Sequence, residues 1–256
     1  MSIMKERMIG HSSNLVGVPS GLIASASFNE FPIPLHIRGT REAHAVLFEK
    51  LQKSESTDEA GHCFLEYMSD MFGHGKRRAR RFHASFLQVL DDWGFDSNGE
   101  AGAVLKGWVE SRFGLFPTFH KKPIRRFNSP EWITYVEEKM SSRFDNNEIL
   151  IQFDLLYEFC QWAMLRFSGK KHLVLYRGTN GDLVRDSRTA TVQLNSLTSF
   201  TSRRCIADEF GDIILEVEVP TVKVLFHNEL LKPHTLQGES EYLVIGGDYF
   251  VKTSYY

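Results

Sequence analysis

Three short segments in the last third of the chain carry residues of the types that catalytic sites use. LYRGT contains Arg177 and Gly178, SFTS begins at Ser199, and GESEYLV contains Glu239 and Glu241. Each segment begins or ends a run of apolar and β-branched residues that predicts a β-strand. The chain thus offers a guanidinium, a hydroxyl and two carboxylates in the order Arg, Ser-x-Thr, Glu-x-Glu, each at the end of a strand.

The two glutamates of the third segment form the most suggestive pair. Side chains two residues apart on an extended strand point to one face, so Glu239 and Glu241 are expected side by side. Like charges held together are unfavourable unless something uses them. The pair therefore indicates a site that needs negative charge, and the ordinary alternative is that residues 238–241 form an exposed loop.

The other two segments also have ordinary explanations when each is taken alone. Arg177 could extend its stem over apolar neighbours or form an ion pair with Glu239 or Glu241. A Ser/Thr cluster such as residues 199–202 usually marks a turn. The combination and order of the three segments, rather than any one of them, indicates a catalytic site.

Composition and charge limit the classes of function that remain. Hydrophobic residues make up 42% of the 256-residue chain, which is enough for a sizeable core. The net charge of -2 points to neither nucleic acid nor an acidic surface as partner. No run of about 20 apolar residues predicts a membrane span, and the N-terminus does not resemble a secretory signal. We therefore expect a cytoplasmic protein that lacks membrane and nucleic-acid partners.

Several common site motifs are absent from the sequence. Cys63, Cys160 and Cys205 form no CxxC pair, so we expect reduced core cysteines rather than a zinc ribbon or a disulfide framework. The histidines show no HExxH spacing, and no metal site is expected. There is no GxGxxG after a strand and no GxxxxGK[ST], so neither Rossmann nor P-loop binding of a nucleotide is predicted.

Two dense basic runs lie in the helical region, at residues 76–81 and 121–126. They could dock an acidic protein partner, because complementary charge speeds association. They could also contact phosphates of a nucleic acid or form a solvated helix face. The sequence leaves these three possibilities open.

Hydrophobic periodicity separates helices from strands along the chain. Residues 1–40 are rich in Gly, Pro and Ser and predict an irregular arm. Helical spacing then dominates to about residue 167, with Ser129-Pro130 as a helix start. Strands follow, with a strand pair or one kinked strand at residues 189–202 and a closing hairpin around residues 246–248. This order predicts an α+β fold, with an arm and a helical lobe at 1–170 and a β-rich core at 171–256 that forms one compact unit with the helical lobe.

Taken together, the three segments resemble those of the Arg-Ser-Glu class of ADP-ribosyltransferases. Members have an arginine on the first strand, a Ser-Thr-Ser-like motif on the next and a Glu-x-Glu turn before a later strand. Here that middle motif reads Ser199-Phe200-Thr201, a mild departure, and the later Ala207 and Phe210 also fit. The N-terminal GHSSNLVGVPSGLIAS and PLHIRGTREAH look like the opening of the bacterial dinitrogenase-reductase ADP-ribosyltransferases, so the resemblance covers nearly the whole chain.

The resemblance implies a fold, a reaction and partners. The β-rich region would be an ADP-ribosyltransferase core of two packed sheets with a cleft for NAD, which is the substrate, and no metal would be needed. The protein substrate would be dinitrogenase reductase, reversibly inactivated by modification of an arginine. A PII-type signal protein would regulate the enzyme. The alternatives are an arginine transferase with a different protein target and a non-catalytic protein that keeps the fold.

The resemblance also assigns roles to the residues of the three segments. Glu241 would stabilise the positive charge that develops on the ribose as nicotinamide leaves, and Ser199 would hydrogen-bond Glu241. Arg177 would anchor the phosphates or ribose of NAD, and Glu239 would orient and deprotonate the acceptor arginine. The remaining NAD contacts would come from the Gly178 backbone at the nicotinamide amide, from Thr201, and from Phe210 stacking on the nicotinamide unless Phe210 packs in the core.

Overall fold

The computed structural model describes residues 14–73, 85–180, 189–231 and 240–255. The helices are α1 (Ser20–Ile23), α2 (Ala26–Glu30), α3 (Thr40–Ala43), α4 (Ala45–Leu51), α5 (Thr57–Phe72), α6 (Phe86–Phe95), α7 (Glu100–Phe113), α8 (Pro130–Ser141), α9 (Asn147–Ala163) and α10 (Arg204–Ala207). The strands are β1 (Phe119–His120), β2 (Lys122–Pro123), β3 (His172–Thr179), β4 (Thr189–Thr201), β5 (Ile213–Pro220), β6 (Val224–His227) and β7 (Glu241–Tyr255).

Side-chain caps fix the starts of several of the longer helices. The Ser129 hydroxyl accepts a hydrogen bond from the Trp132 amide at the start of α8, with Pro130 as the first helical residue. The predicted helix start at this position is confirmed. Asn146 caps α9 in the same way. Such caps satisfy amide groups that have no partner within the helix, so each fixes where its helix begins.

The N-terminal arm is less irregular than its composition predicted. Two short helices, α1 and α2, interrupt it, and Ser25 caps the second by accepting a bond from the Phe28 amide. The Ala24 carbonyl accepts a hydrogen bond from the Asp248 amide at 2.7 Å, and the Asn29 side chain donates to the Asp248 carbonyl at 2.9 Å. The arm is therefore anchored on the last strand.

The strands β3 to β7 form one antiparallel five-stranded sheet, in the order β4-β3-β5-β7-β6. The long strand β7 also pairs with β4 along most of its length, so β4, β3, β5 and β7 form a closed ring of pairings. Helices segregated from an antiparallel sheet confirm the predicted α+β class. The two packed sheets and the NAD cleft stay predictions.

The predicted hairpin at residues 246–248 is wrong. β7 is one continuous strand of 15 residues that contains Gly246 and Gly247, and Gly247 has a φ of 117°. A Cβ at Gly246 would lie 1.7 Å from the Asn195 carbonyl oxygen, so glycine is needed for close approach of two strands rather than for a turn. β4 shifts register at the same level, between Leu194 and Leu197, which confirms the prediction of one kinked strand.

The apolar side chains of helices and sheet pack into one main core. Phe64, Trp108 and Phe159 from the helices and Val217 and Leu225 from the sheet are all buried members of it. The proposed division at residue 170 therefore does not separate two cores, although the boundary itself stays a prediction. Among the described residues, no helix is both long and apolar enough to cross a membrane.

The cysteines differ from the expectation in one case. Cys160 is buried and Cys63 is partly buried, but Cys205 is exposed on α10, so the prediction that it is a core residue is wrong. Within the described ranges, no group of three or more His, Cys, Asp or Glu side chains could hold a metal ion.

Candidate active site

Arg177 lies on β3 and reaches across to β4. Its Nη1 donates a hydrogen bond to the Ser199 carbonyl oxygen at 2.7 Å. Burial lowers the pKa of the guanidinium, while the nearby charge of Glu241 raises it. Arg177, Ser199 and Glu241 are therefore brought together, as the order of the three segments predicted.

Glu241 is the first residue of β7, and its side chain is buried. It lies opposite Thr201 on β4, and Thr201 lies opposite Tyr176 on β3. Strands β3, β4 and β7 are thus neighbours at the position of Glu241. A buried carboxylate is costly unless it is paired or hydrogen-bonded, and the interaction of Glu241 with the Arg177 charge offsets part of that cost.

Ser199 is held through its side chain as well as through its carbonyl. The indole Nε1 of Trp93, on α6, donates a hydrogen bond to the Ser199 hydroxyl oxygen at 3.0 Å. An indole N–H can only donate, so the hydroxyl accepts this bond and keeps its own hydrogen for another acceptor. The predicted bond from Ser199 to Glu241 stays a prediction, and none of the three sequence segments indicated the contact with Trp93.

The segment before Glu241 departs from the extended geometry that the sequence predicted. Ser240 has a φ of 47°, in the left-handed region that non-glycine residues seldom adopt. Its carbonyl accepts a hydrogen bond from the Ser202 amide at 3.2 Å, which ties the segment to the end of β4. The extended conformation that this argument assumed at Ser240 is therefore wrong, and the placement of Glu239 beside Glu241 stays a prediction. Glu239 itself lies outside the described residues.

Gly178 follows Arg177 and packs closely against the segment after β4. A Cβ at this position would lie 2.0 Å from the Ala207 carbonyl oxygen. The lack of a side chain is therefore explained by this packing. The predicted approach of the Gly178 backbone to nicotinamide stays a prediction.

Phe210 lies in the short turn of helix after α10, and its side chain is 54% exposed. Core packing, which was one of two explanations for this residue, is therefore wrong. Thr201 is buried, and its hydroxyl accepts a hydrogen bond from the Arg203 amide at 3.2 Å. Along the chain, Thr201 precedes α10 and Phe210 follows it.

A buried cluster of charged groups lies behind Trp93. The Lys106 ammonium is 5.9 Å from the centre of the Trp93 ring and donates hydrogen bonds to the Ser97 carbonyl and the Asn98 side chain. Burial lowers the pKa of Lys106 to about 8. His120 contacts both Lys106 and Glu138, at 3.2 and 2.7 Å. The helical region therefore has an ordered polar network next to the candidate site.

The basic run at 121–126 is not a helix face, so that explanation is wrong for it. Its first residues belong to the β1–β2 pair, where Lys121 forms an ion pair with Glu138. The charged side chains of the run are exposed, and Ile124 is buried. The run at 76–81 lies outside the described residues.

Comparisons with known proteins agree on one family. The model of the family described as dinitrogenase reductase ADP-ribosyltransferase (DRAT) matches residues 13–253. The chain is similar to a curated protein of Rhodospirillum rubrum named NAD(+)--dinitrogen-reductase ADP-D-ribosyltransferase, with 53% identity over 265 residues that cover 96% of each chain. No solved structure matches the chain significantly.

Proposed function

The chain belongs to the dinitrogenase reductase ADP-ribosyltransferase family, and from that premise we propose that it transfers ADP-ribose from NAD to an arginine of dinitrogenase reductase. The observation that carries the proposal is the meeting of Arg177, Ser199 and Glu241 where β3, β4 and β7 converge. A positive group that can grip phosphate and a carboxylate that can stabilise a sugar cation are the two requirements of this reaction.

We place the NAD cleft at the ends of these strands, beside the α10 segment. β7 pairs with β6 through its first residues and with β5 through its last, and Gly246 and Gly247 lie between these regions. This change of partner along β7 supports two packed sheets. Phe210 is exposed on the α10 side, which supports its role as a stacking surface for the nicotinamide ring.

Glu241 would act on the bond that breaks. As nicotinamide departs, positive charge develops on the ribose, and a carboxylate fixed beforehand lowers the barrier because it need not reorganise. Burial strengthens this interaction, since fewer water molecules screen the charges. The Ser199 hydroxyl retains a hydrogen to donate, which supports its predicted bond to Glu241. Arg177 and Thr201 would hold NAD, with the backbone of Gly178 near the nicotinamide amide.

Glu239 would act on the acceptor. A guanidinium has a pKa above about 12 and is a poor nucleophile while charged. A carboxylate near it would attract it, orient it and take a proton during the attack. In this division of labour, Glu241 serves the sugar and Glu239 serves the acceptor.

The remaining parts of the proposal rest on the family alone. They are regulation by a PII-type signal protein, a cytoplasmic location, and reversal of the modification. The division into a helical lobe at 1–170 and a catalytic core at 171–256 is also kept as a proposal.

The direct test is to incubate the protein with labelled NAD and purified dinitrogenase reductase, and to map the label by mass spectrometry. Label on a single arginine of dinitrogenase reductase is the expected result. Label only on other proteins would mean that the protein transfers ADP-ribose but has a different target. Absence of both label and nicotinamide release would indicate a non-catalytic protein and would overturn the proposal.

The acceptor role of Glu239 can be tested in the same assay. Glu239→Gln should lose transfer to the protein while keeping part of the NAD hydrolysis, because water can replace the guanidinium as acceptor. Equal loss of both reactions would contradict the separate roles of the two glutamates.

A further inference from the structure

Trp93 connects the helical region to the candidate site across 106 residues of sequence. It lies near the end of α6 and is only 3% exposed. Its Nε1 is 3.0 Å from the hydroxyl oxygen of Ser199, and nothing in the family motifs of the site involves this residue. The helical region therefore contacts a residue of the candidate site directly.

Ser199 is fixed at two of its polar atoms by different parts of the fold. Arg177 holds its carbonyl from β3, and Trp93 holds its hydroxyl from α6. A serine hydroxyl rotates freely unless its partners constrain it. When it accepts from a group that can only donate, its own hydrogen must point elsewhere. The Trp93 indole therefore limits the directions in which the Ser199 hydroxyl can donate its hydrogen.

Trp93 is itself held in place. Lys106 on α7 lies over its ring and ties down the connection between α6 and α7 through the Ser97 carbonyl and the Asn98 side chain. A buried ammonium next to an aromatic face is attracted by the ring's electron density. The indole thus has a defined orientation, which a group that orients another must have.

We propose that Trp93 is a positioning residue for the transfer reaction, whose indole N–H orients the Ser199 hydroxyl for donation to Glu241. This inference rests on the proposed function, because it gives Ser199 a role in that chemistry. It adds that the helical region contributes directly to the site instead of only covering the sheet.

The ordinary explanation is that any buried tryptophan needs an acceptor for its indole. Trp108 provides the matched comparison. It is also a fully buried tryptophan of the helical region, and its Nε1 donates to Asp154 at 2.7 Å, with no contact to Ser199. If Trp93 only satisfied its own polar group, replacing either tryptophan would affect the reaction to a similar extent.

The first test is a double-mutant cycle on nicotinamide release from NAD. Trp93→Phe keeps an aromatic ring and removes the donor, and we expect kcat to fall about fivefold with little change in KM for NAD. Trp108→Phe is the control and should leave kcat within about twofold, since its bond lies away from the site. Thermal unfolding of both variants is measured to confirm that each is folded at the assay temperature.

The decisive comparison uses the background without the hydroxyl. In Ser199→Ala, the additional change Trp93→Phe should have no further effect on kcat, because its target is already gone. If Trp93→Phe lowers kcat by the same factor with and without the Ser199 hydroxyl, the inference is overturned. If Ser199→Ala alone leaves nicotinamide release at the wild-type rate, the assignment of the site under the proposed function fails instead.

A second measurement does not depend on folding of a Trp93 variant. The indole N–H resonances are recorded by NMR for the wild type and for Ser199→Ala. The Trp93 resonance should shift because it loses its acceptor, while the Trp108 resonance should stay in place. An unchanged Trp93 resonance would show that the bond does not exist in solution and would overturn the inference.

Discussion

At the scale of the residue, Arg177 shows how opposite charges make a buried polar site possible. Burial lowers the pKa of its guanidinium, and the Glu241 charge raises it again. An arginine stays protonated under such conditions, so each charge offsets part of the other's desolvation cost. Each of these two charges would be unfavourable in the sheet by itself, but the pair is tolerated. Both groups can then interact with a charged substrate.

A prediction at this scale concerns Phe210. Phe210→Ala should raise KM for NAD about three- to tenfold, because stacking of an aromatic ring on a base is worth roughly 1 kcal/mol. Phe250 on β7 is the control, since it is equally exposed, at 55% against 54%, but pairs with Thr191 at the far end of the sheet. Steady-state kinetics of nicotinamide release gives both values, and an unchanged KM in Phe210→Ala would contradict the stacking role.

The order of the three motifs is readable in the sequence, and with the family resemblance it led us to expect Arg177, Ser199 and Glu241 in one site. It could not predict that Trp93 reaches Ser199, since that contact depends on how α6 packs on the sheet. The one available signal was weak, namely that a buried indole needs an acceptor. The extended conformation expected at Ser240 was wrong because a serine gives no clear sequence signature of a left-handed φ.

At the scale of the element, β7 determines most of the sheet. It pairs with β4, β5 and β6, and its first residue is Glu241. Helix starts were predictable because serine and proline act locally, as at Ser129 and Pro130. Two adjacent glycines indicate either a turn or a close approach of backbones, and only tertiary structure decides between these. The hairpin prediction was wrong for that reason.

The close approach at Gly246 in β7 gives a stability prediction. Gly246→Ala should lower the free energy of unfolding by about 3 kcal/mol or more, because its Cβ would overlap the Asn195 carbonyl at 1.7 Å. Gly21→Ala in α1 is the control, since a Cβ there meets nothing within 4 Å. It should be neutral or stabilise the protein by about 0.5 kcal/mol. Urea denaturation measures both, and similar effects of the two changes would contradict the close approach.

The pairing of β6 with β7 gives a prediction about pH. His227 stacks on Tyr242, with ring centres 5.3 Å apart, and burial lowers the pKa of His227 from 6.5 to about 4. Its Nδ1 has no hydrogen-bond partner in the described part of the chain. Between these two pKa values, His227 is protonated in the unfolded chain but neutral in the folded chain. The free energy of unfolding therefore decreases as the pH falls from about 6.5 to 4, by up to about 3 kcal/mol.

The test of this pH effect compares the wild type with His227→Phe. The variant keeps an aromatic ring against Tyr242 but cannot be protonated. The difference in free energy of unfolding between the two proteins should change across that pH window and be constant above it. Parallel curves from pH 7 to 4 would contradict the account of His227.

At the scale of the whole molecule, helix α9 joins the helical region to the sheet through polar as well as apolar contacts. The Tyr157 hydroxyl donates to the Val222 carbonyl at 2.8 Å, and the Gln161 amide donates to the Thr221 and Val224 carbonyls at 3.2 and 2.8 Å. These carbonyls lie in the connection from β5 to β6 and at the first residue of β6, and they are satisfied by side chains from α9. Sequence periodicity predicted the two regions but could not show that they depend on each other.

The resulting prediction is that the catalytic region cannot fold alone. A fragment of residues 171–256 would expose the apolar side of the sheet and leave buried carbonyls without their donors. We expect it to give the circular dichroism of an unfolded chain, whereas the whole chain should unfold in one transition followed equally by far- and near-ultraviolet signals. A fragment with a cooperative melting transition would contradict this dependence and would support separate domains.

The central claim is that the Glu241 carboxylate stabilises the sugar as nicotinamide leaves. It is tested most directly by the rate of nicotinamide release from NAD by Glu241→Gln, with NAD affinity measured by calorimetry. A glutamine keeps the size of the side chain and removes the charge, so the rate should fall about a hundredfold or more while the dissociation constant changes little. Release of nicotinamide at the wild-type rate would contradict the claim.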